Sequence, residues 1–166
     1  MNIIIDDLQG HAIQALLQAH LTDMNATAPA ASVHALDLTE LQHHSVTFWS
    51  IWDQHQLAGC GAIKYLTTTS AEIKSMRTSD NFRAQGVASQ LLQHIITHAK
   101  TQGYQQLNLE TGSMDFFAPS RALYTKHGFI ECPPFADYQP DPHSTFMTLD
   151  LLAKKKNAAA FFLLSW

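Results

Sequence analysis

The run "SMRTSDNFRAQGVASQLLQHI", residues 75–95, places Arg83, Gln85 and Gly86 where a polar–apolar alternation hands over to an apolar-periodic helix. A helix N-terminus presents free N–H groups and a partial positive charge, and glycine allows an anion to come close. The backbone amides of Ala84, Gln85, Gly86, Val87, Ala88 and Ser89 would then converge on one point, with the Arg83 side chain able to add charge. Read alone, Arg-x-x-Gly-x-Ala is more often a plain loop than an anion cradle. It lacks the Gly-Lys-Ser/Thr of a P-loop and is not Gly-x-Gly-x-x-Gly.

Other chemistry-bearing residues are less pointed. His94 and His98 have metal-capable helical spacing, but Ile95 stands where a metalloprotease has Glu and no third ligand is evident, so no metal site is expected. Cys132 has no suitably spaced His or Asp to activate it as a nucleophile. His43 and His44 lie in a polar stretch and read as solvated. The turn-rich segment 133–148 carries Asp137, Tyr138, Asp141 and His143, whose acids would suit a cationic ligand or simply face water.

The elements that must hold these groups alternate in type. Strands are expected at 2–5, 45–53, 57–66, 70–78 and 105–111, with apolar segments at "FIECPPF" and "TFMTLDLL" reading as two more. Gly59 and Gly61 inside a strand suggest a bulge or the close approach of another backbone. Helices are expected over 8–22, in "LDLTELQ", over 86–101 and in "APSRALYTKH"; the third is the clearest, with Val87, Ala88, Leu91, Leu92, Ile95, Ile96 and Ala99 on one stripe. Trp49, Trp52, Phe116 and Phe117 default to core. The order predicts a layered α/β (α+β) protein with a mixed sheet.

A second motif gives the first its context. "ALYTKHGF", Ala122 to Phe129, follows "FRAQGVASQLL" with a strand between them. Together the two resemble the GNAT superfamily of acetyl-coenzyme A-dependent N-acetyltransferases, over residues 2–152, within a subgroup of small bacterial proteins mostly without assigned substrates. The resemblance implies a mixed central sheet whose parallel strands, 70–78 and 105–111, splay apart. It implies a pyrophosphate seat on the amides of residues 84–89 beside Arg83, and a pantetheine arm paired with the backbone of Met76, Arg77 and Thr78, as an extended ligand pairs with an open strand edge.

The same resemblance puts Tyr124 in the position of the general acid, and a phenol of ordinary pKa about 10 stays protonated at neutral pH. It makes Glu72 the first choice of base and Glu110 the second. Phe117 stands where the family often has Asn, and Ser120 where it usually has Ala, so an apolar wall is expected at 117. The implied reaction is acetyl transfer to a primary amine of a small molecule or peptide, in a ternary complex with acetyl-CoA as donor. A non-catalytic acetyl-CoA-binding or sensory module is the alternative, as is a nucleotide-binding domain of another fold.

Composition limits the partners. With 166 residues, 46% hydrophobic and 14% charged, the chain reads as one folded domain over 1–152. Ten Lys+Arg and a net charge of -4 leave no basic footprint for nucleic acid. Cys60 and Cys132 make no disulfide framework. The start, "MNIIIDDLQG", does not read as a secretory signal, and a cytoplasmic location is expected. The tail 153–166, Lys-rich then apolar, is far short of the ~20 residues that span a bilayer. Its role is open; docking on a second copy of the chain, as a homodimer, is one reading.

Overall fold

The computed structural model describes residues 1–153; the expectations for the rest of the tail lie outside them. The elements run β1 (Asn2–Ile5), α1 (His11–Thr27), α2 (Leu38–Leu41), β2 (Val46–Asp53), β3 (Gln56–Thr67), β4 (Ser70–Thr78), α3 (Val87–Thr101), β5 (Gln106–Gly112), α4 (Ala118–Lys126), β6 (Ile130–Glu131) and β7 (Ser144–Asp150). Seven strands form one sheet in the order β1-β2-β3-β4-β5-β7-β6. The β4–β5 pair is parallel and the other pairs are antiparallel.

Each sheet face has its own core. On one face the α3 stripe, Val87, Leu91, Leu92, Ile95, Ile96 and Ala99, packs with Ile63, Ile73, Leu107 and Leu109. Tyr124 of α4 joins the same cluster. On the other face Ile13 and Leu17 of α1 pack with Leu41, Phe48 and Cys60. Asp37 caps the short α2 by accepting the Glu40 N–H at 2.8 Å.

Two boundaries differ from expectation for local reasons. Leu8 sits outside α1 with φ 66 and its side chain buried among Ile13 and Leu41, so the helix starts at His11 and runs on to Thr27. The segment "FIECPPF" yields only the two-residue β6. Cys132 still donates to Phe146 O at 2.9 Å, but Pro133 and Pro134 have no N–H to continue a ladder.

The feature that shapes the site is a break in the middle of the sheet. β4 and β5 pair from Ser70↔Gln106 to Ile73↔Leu109 and no further, although β4 continues to Thr78 and β5 to Gly112. β5 stays with β7 as far as Gly112↔Ser144. β4 stays with β3, but between Cys60↔Arg77 and Ala62↔Lys74 it accommodates an extra residue. Ser75 at that bulge takes φ 54, and a bulge bends its strand and increases its twist. The glycines of β3 make the fit: a Cβ on Gly61 would come 2.5 Å from Met76 Sδ, and one on Gly59 2.7 Å from Arg77 O.

Candidate active site

The strand break opens a cavity of about 560 Å³, within the usual size range for a small-molecule site. One end is the loop between β4 and α3. Arg83 is extended, Ala84 takes φ 57 and Gly86 takes φ 80, a backbone that turns successive amides to one side. No side chain caps α3, and its first internal bond is Gln90 N–H to Gly86 O at 3.0 Å. The amides of Val87, Ala88 and Ser89 therefore point past the helix end. A Cβ on Gly86 would meet nothing within 4 Å. The glycine thus serves the left-handed turn and leaves open space over the amides. Arg83 is exposed and pairs with Asp80 at 2.7 Å.

Along the cavity, β4 presents Met76, Arg77 and Thr78 with no strand paired on their β5 side. The Arg77 side chain turns toward α1, where Asp23 accepts from it at 2.5 Å. Beside it, His20 is pushed down to about 4 by burial and by the charge of Arg77, which keeps the ring neutral.

Near the fork, Glu110 of β5 and Tyr124 of α4 both line the cavity. Burial raises the Glu110 carboxyl, with Glu72 adding to the rise and Ser144, His34 and Lys74 opposing it. Burial also raises the Tyr124 phenol, and the charge of Glu110 raises it further. Phe117 lines the same cavity, buried, its ring against Gly112 and edge-on to Phe116 at 5.0 Å.

Glu72, by contrast, is not among the groups lining the cavity. Its carboxylate accepts from Lys74 Nζ at 3.1 Å and from the Tyr138 hydroxyl at 2.5 Å. Lys74 also donates to His34 O at 3.0 Å and to the Tyr138 hydroxyl at 2.9 Å. This buried knot ties the segment before α2 and the β6–β7 loop to the strand at the fork.

A helix end with open amides, an unpaired strand edge and the side chains of Glu110 and Tyr124 share one cavity. This arrangement coincides with what comparison of the whole chain finds. Residues 13–129 match the model of the acetyltransferase (GNAT) family. The chain belongs to that family. The N-acetyltransferase YsnE of Bacillus subtilis (strain 168), itself uncharacterized, is 52% identical over 151 residues, covering 91% of this chain and 100% of that one. An IAA acetyltransferase of Azospirillum brasilense is 36% identical over 143 residues, 84% of this chain and 90% of that one. A solved Klebsiella pneumoniae structure, assigned to the acyl-CoA N-acyltransferases, superposes with a TM-score of 0.76 at 30% identity, covering 90% of this chain and 97% of that one. A GNAT acetyltransferase of Elizabethkingia anophelis with acetyl-CoA bound shares the fold, with a TM-score of 0.63 at 19% identity over 90% of this chain and 97% of that one.

The protein is thus a GNAT acetyltransferase, an enzyme on a mixed sheet with a parting between its parallel strands. Within this GNAT fold the structure brings together Tyr124, Glu110 and the loop 83–89. The side chains of His20 and Lys74 went unremarked as site elements in the sequence, and Tyr138 was noted only within the turn-rich segment 133–148. The partners Tyr138 and Glu72 are 66 residues apart, and no local spacing announces such a pair. His94 and His98 stack on the edge of Trp49, at 5.6 and 4.8 Å. Among the described residues no helix is long and apolar enough to cross a membrane.

Proposed function

We propose that this enzyme transfers the acetyl group of acetyl-CoA to a primary amine by direct attack in a ternary complex. The observation that carries the reading is the parting of β4 from β5 after Ile73↔Leu109, with the amide seat beyond one end and Glu110 with Tyr124 by the fork. Acetyl-CoA is a long, amide-bearing anion. Its pyrophosphate suits the amides of Ala84 to Ser89 beside Arg83, and its pantetheine arm suits the open edge at Met76, Arg77 and Thr78.

Glu110 takes the role of base in preference to Glu72. A base must reach the proton it removes, and Glu72 is enclosed by Lys74 and Tyr138. The raised Glu110 carboxyl is also a stronger proton acceptor than an ordinary carboxylate. The amine, its proton passed to Glu110 directly or through water, attacks the thioester carbonyl carbon. A backbone N–H near Met76 polarises that carbonyl as the C–N bond forms. Collapse breaks the C–S bond as the nitrogen gives up its remaining extra proton to solvent, and Tyr124 supplies a proton to the departing thiolate and regains one from solvent. The phenol, held above its ordinary range, carries that proton throughout the neutral pH range.

The experiment is a panel of amines with acetyl-CoA, reading free thiol and acetylated product. Amine-dependent thiol release is the expected result. Tight acetyl-CoA binding with no transfer to any amine would instead make the chain a binding module.

A further inference from the structure

Charge pairing around the cavity restricts what the acceptor can be. Lys74 is paired with Glu72 at 3.1 Å, Arg77 with Asp23 at 2.5 Å and Arg83 with Asp80 at 2.7 Å. Each cation that lines the cavity thus already faces a carboxylate. Glu110 is the lining carboxylate that makes no ion pair with the described residues. The site has one negative charge to satisfy, and that charge lies where an amine must come to react.

Apolar side chains form part of the same lining, alongside Ser32, His34, Thr111 and His143. Met24 comes from α1 and Val33 from the segment that follows it, while Met114 and Phe116 come from the turn after β5. Phe116 is 52% exposed although it is a large aromatic next to a buried one, so its ring is free to stack on a ligand. Methionine adapts its shape to an aromatic or aliphatic neighbour.

We infer that the acceptor is a monoamine with an apolar, preferably aromatic, body, and that Phe116 is a specificity-determining wall for it. This rests on the N-acetyltransferase reading above. A polyamine or aminoglycoside brings several ammonium groups against one free carboxylate. The surplus charges would find no second carboxylate in a lining that already carries Lys74, Arg77 and Arg83. A monoamine matches the single charge of Glu110 and buries its body against Phe116 and the methionines.

The test compares kcat/KM for 2-phenylethylamine, ethanolamine and spermidine at saturating acetyl-CoA. The aromatic monoamine is expected to exceed each of the other two by about tenfold or more. Spermidine as the best of the three overturns the charge argument, and ethanolamine equal to 2-phenylethylamine overturns the wall. Transfer only to peptide N-termini overturns the inference and leaves the acetyltransferase reading standing; no transfer to any amine overturns both. Phe116→Ala, at a half-exposed position, is expected to fold normally and to raise KM for 2-phenylethylamine about tenfold, with KM for acetyl-CoA unchanged. An unchanged amine KM removes Phe116 from the acceptor site.

Discussion

Glu72 and Glu110 stand on the same sheet face, since Glu72 is in register with Asn108 and Glu110 lies two residues further along β5, yet only Glu110 opens to the cavity. The difference is made by Lys74 and Tyr138, which occupy the Glu72 carboxylate. Substitution separates the two roles. Glu110→Gln is expected to lower kcat/KM by about 10²-fold or more while the fold survives. Glu72→Gln leaves Lys74 buried against a neutral amide, and breaking a buried pair costs about 3–5 kcal/mol. Its signature is a lower Tm, read by thermal unfolding, with the kcat of the folded fraction less affected. Equal loss of kcat in both variants, with Tm intact, would return the base role to Glu72.

The raised Glu110 carboxyl fixes the sign of two pH dependences. Activity needs the carboxylate, so kcat/KM rises with pH through a value above the ordinary glutamate range. Stability moves the other way. The folded chain holds this proton more tightly than the unfolded chain, so the contribution is complete below the ordinary glutamate pKa and is lost as pH rises through the raised one. Glu110→Gln, neutral at every pH, should therefore match or exceed the wild-type Tm at pH 7 while losing activity. A variant that loses Tm at pH 7 would contradict the assignment.

Tyr124→Phe removes one oxygen from a side chain that otherwise packs with Phe129, at 5.6 Å between ring centroids. The packing survives, so Tm should change little. If the phenol protonates the thiolate, kcat falls by about 10²-fold with KM for acetyl-CoA nearly constant. Thiol release at the wild-type rate would leave Tyr124 as a wall of the cavity only.

What the sequence made legible follows the range of the interactions involved. The α3 stripe and the glycine at its start are local, and both lie where periodicity and Arg83-x-x-Gly86 place them. Gly59 and Gly61 announced a close approach, and the bulge beside them in β4 is that approach. That Glu72 is enclosed while Glu110 opens to the cavity was not legible. It depends on Tyr138, which arrives from a loop 66 residues away, and on Lys74, whose neighbour in sequence gives no hint that it points inward. The extent of β6 was overread because "FIECPPF" is apolar enough for a strand, but two prolines end its ladder.

Gly86 tests the anion seat directly. Its φ of 80 costs a residue with a Cβ about 1–2 kcal/mol, and the added group would project into the open space above the α3 amides. Gly86→Val is expected to raise KM for acetyl-CoA about tenfold or more, with the acceptor KM unchanged. Initial rates over a matrix of both substrates separate the two constants. An unchanged acetyl-CoA KM would mean that the pyrophosphate lies elsewhere.

Gly112 tests the wall at the far side of the parting. A Cβ there would clash with the Phe117 ring, and Arg121 fixes the same turn by donating to Gly112 O at 2.6 Å and Met114 O at 3.0 Å. Neither the ring nor the pinned backbone can move freely, so Gly112→Ala overpacks the site by about 1–3 kcal/mol. At this chain length each kcal/mol lowers Tm by about 2–4 °C. Gly112→Ala/Phe117→Leu should recover most of that loss, because the smaller side chain removes the clash. If the single variant melts with the wild type, Phe117 does not press on Gly112 as the structure has it. If the double variant melts no higher than the single one, the strain arises elsewhere in the β5–α4 turn.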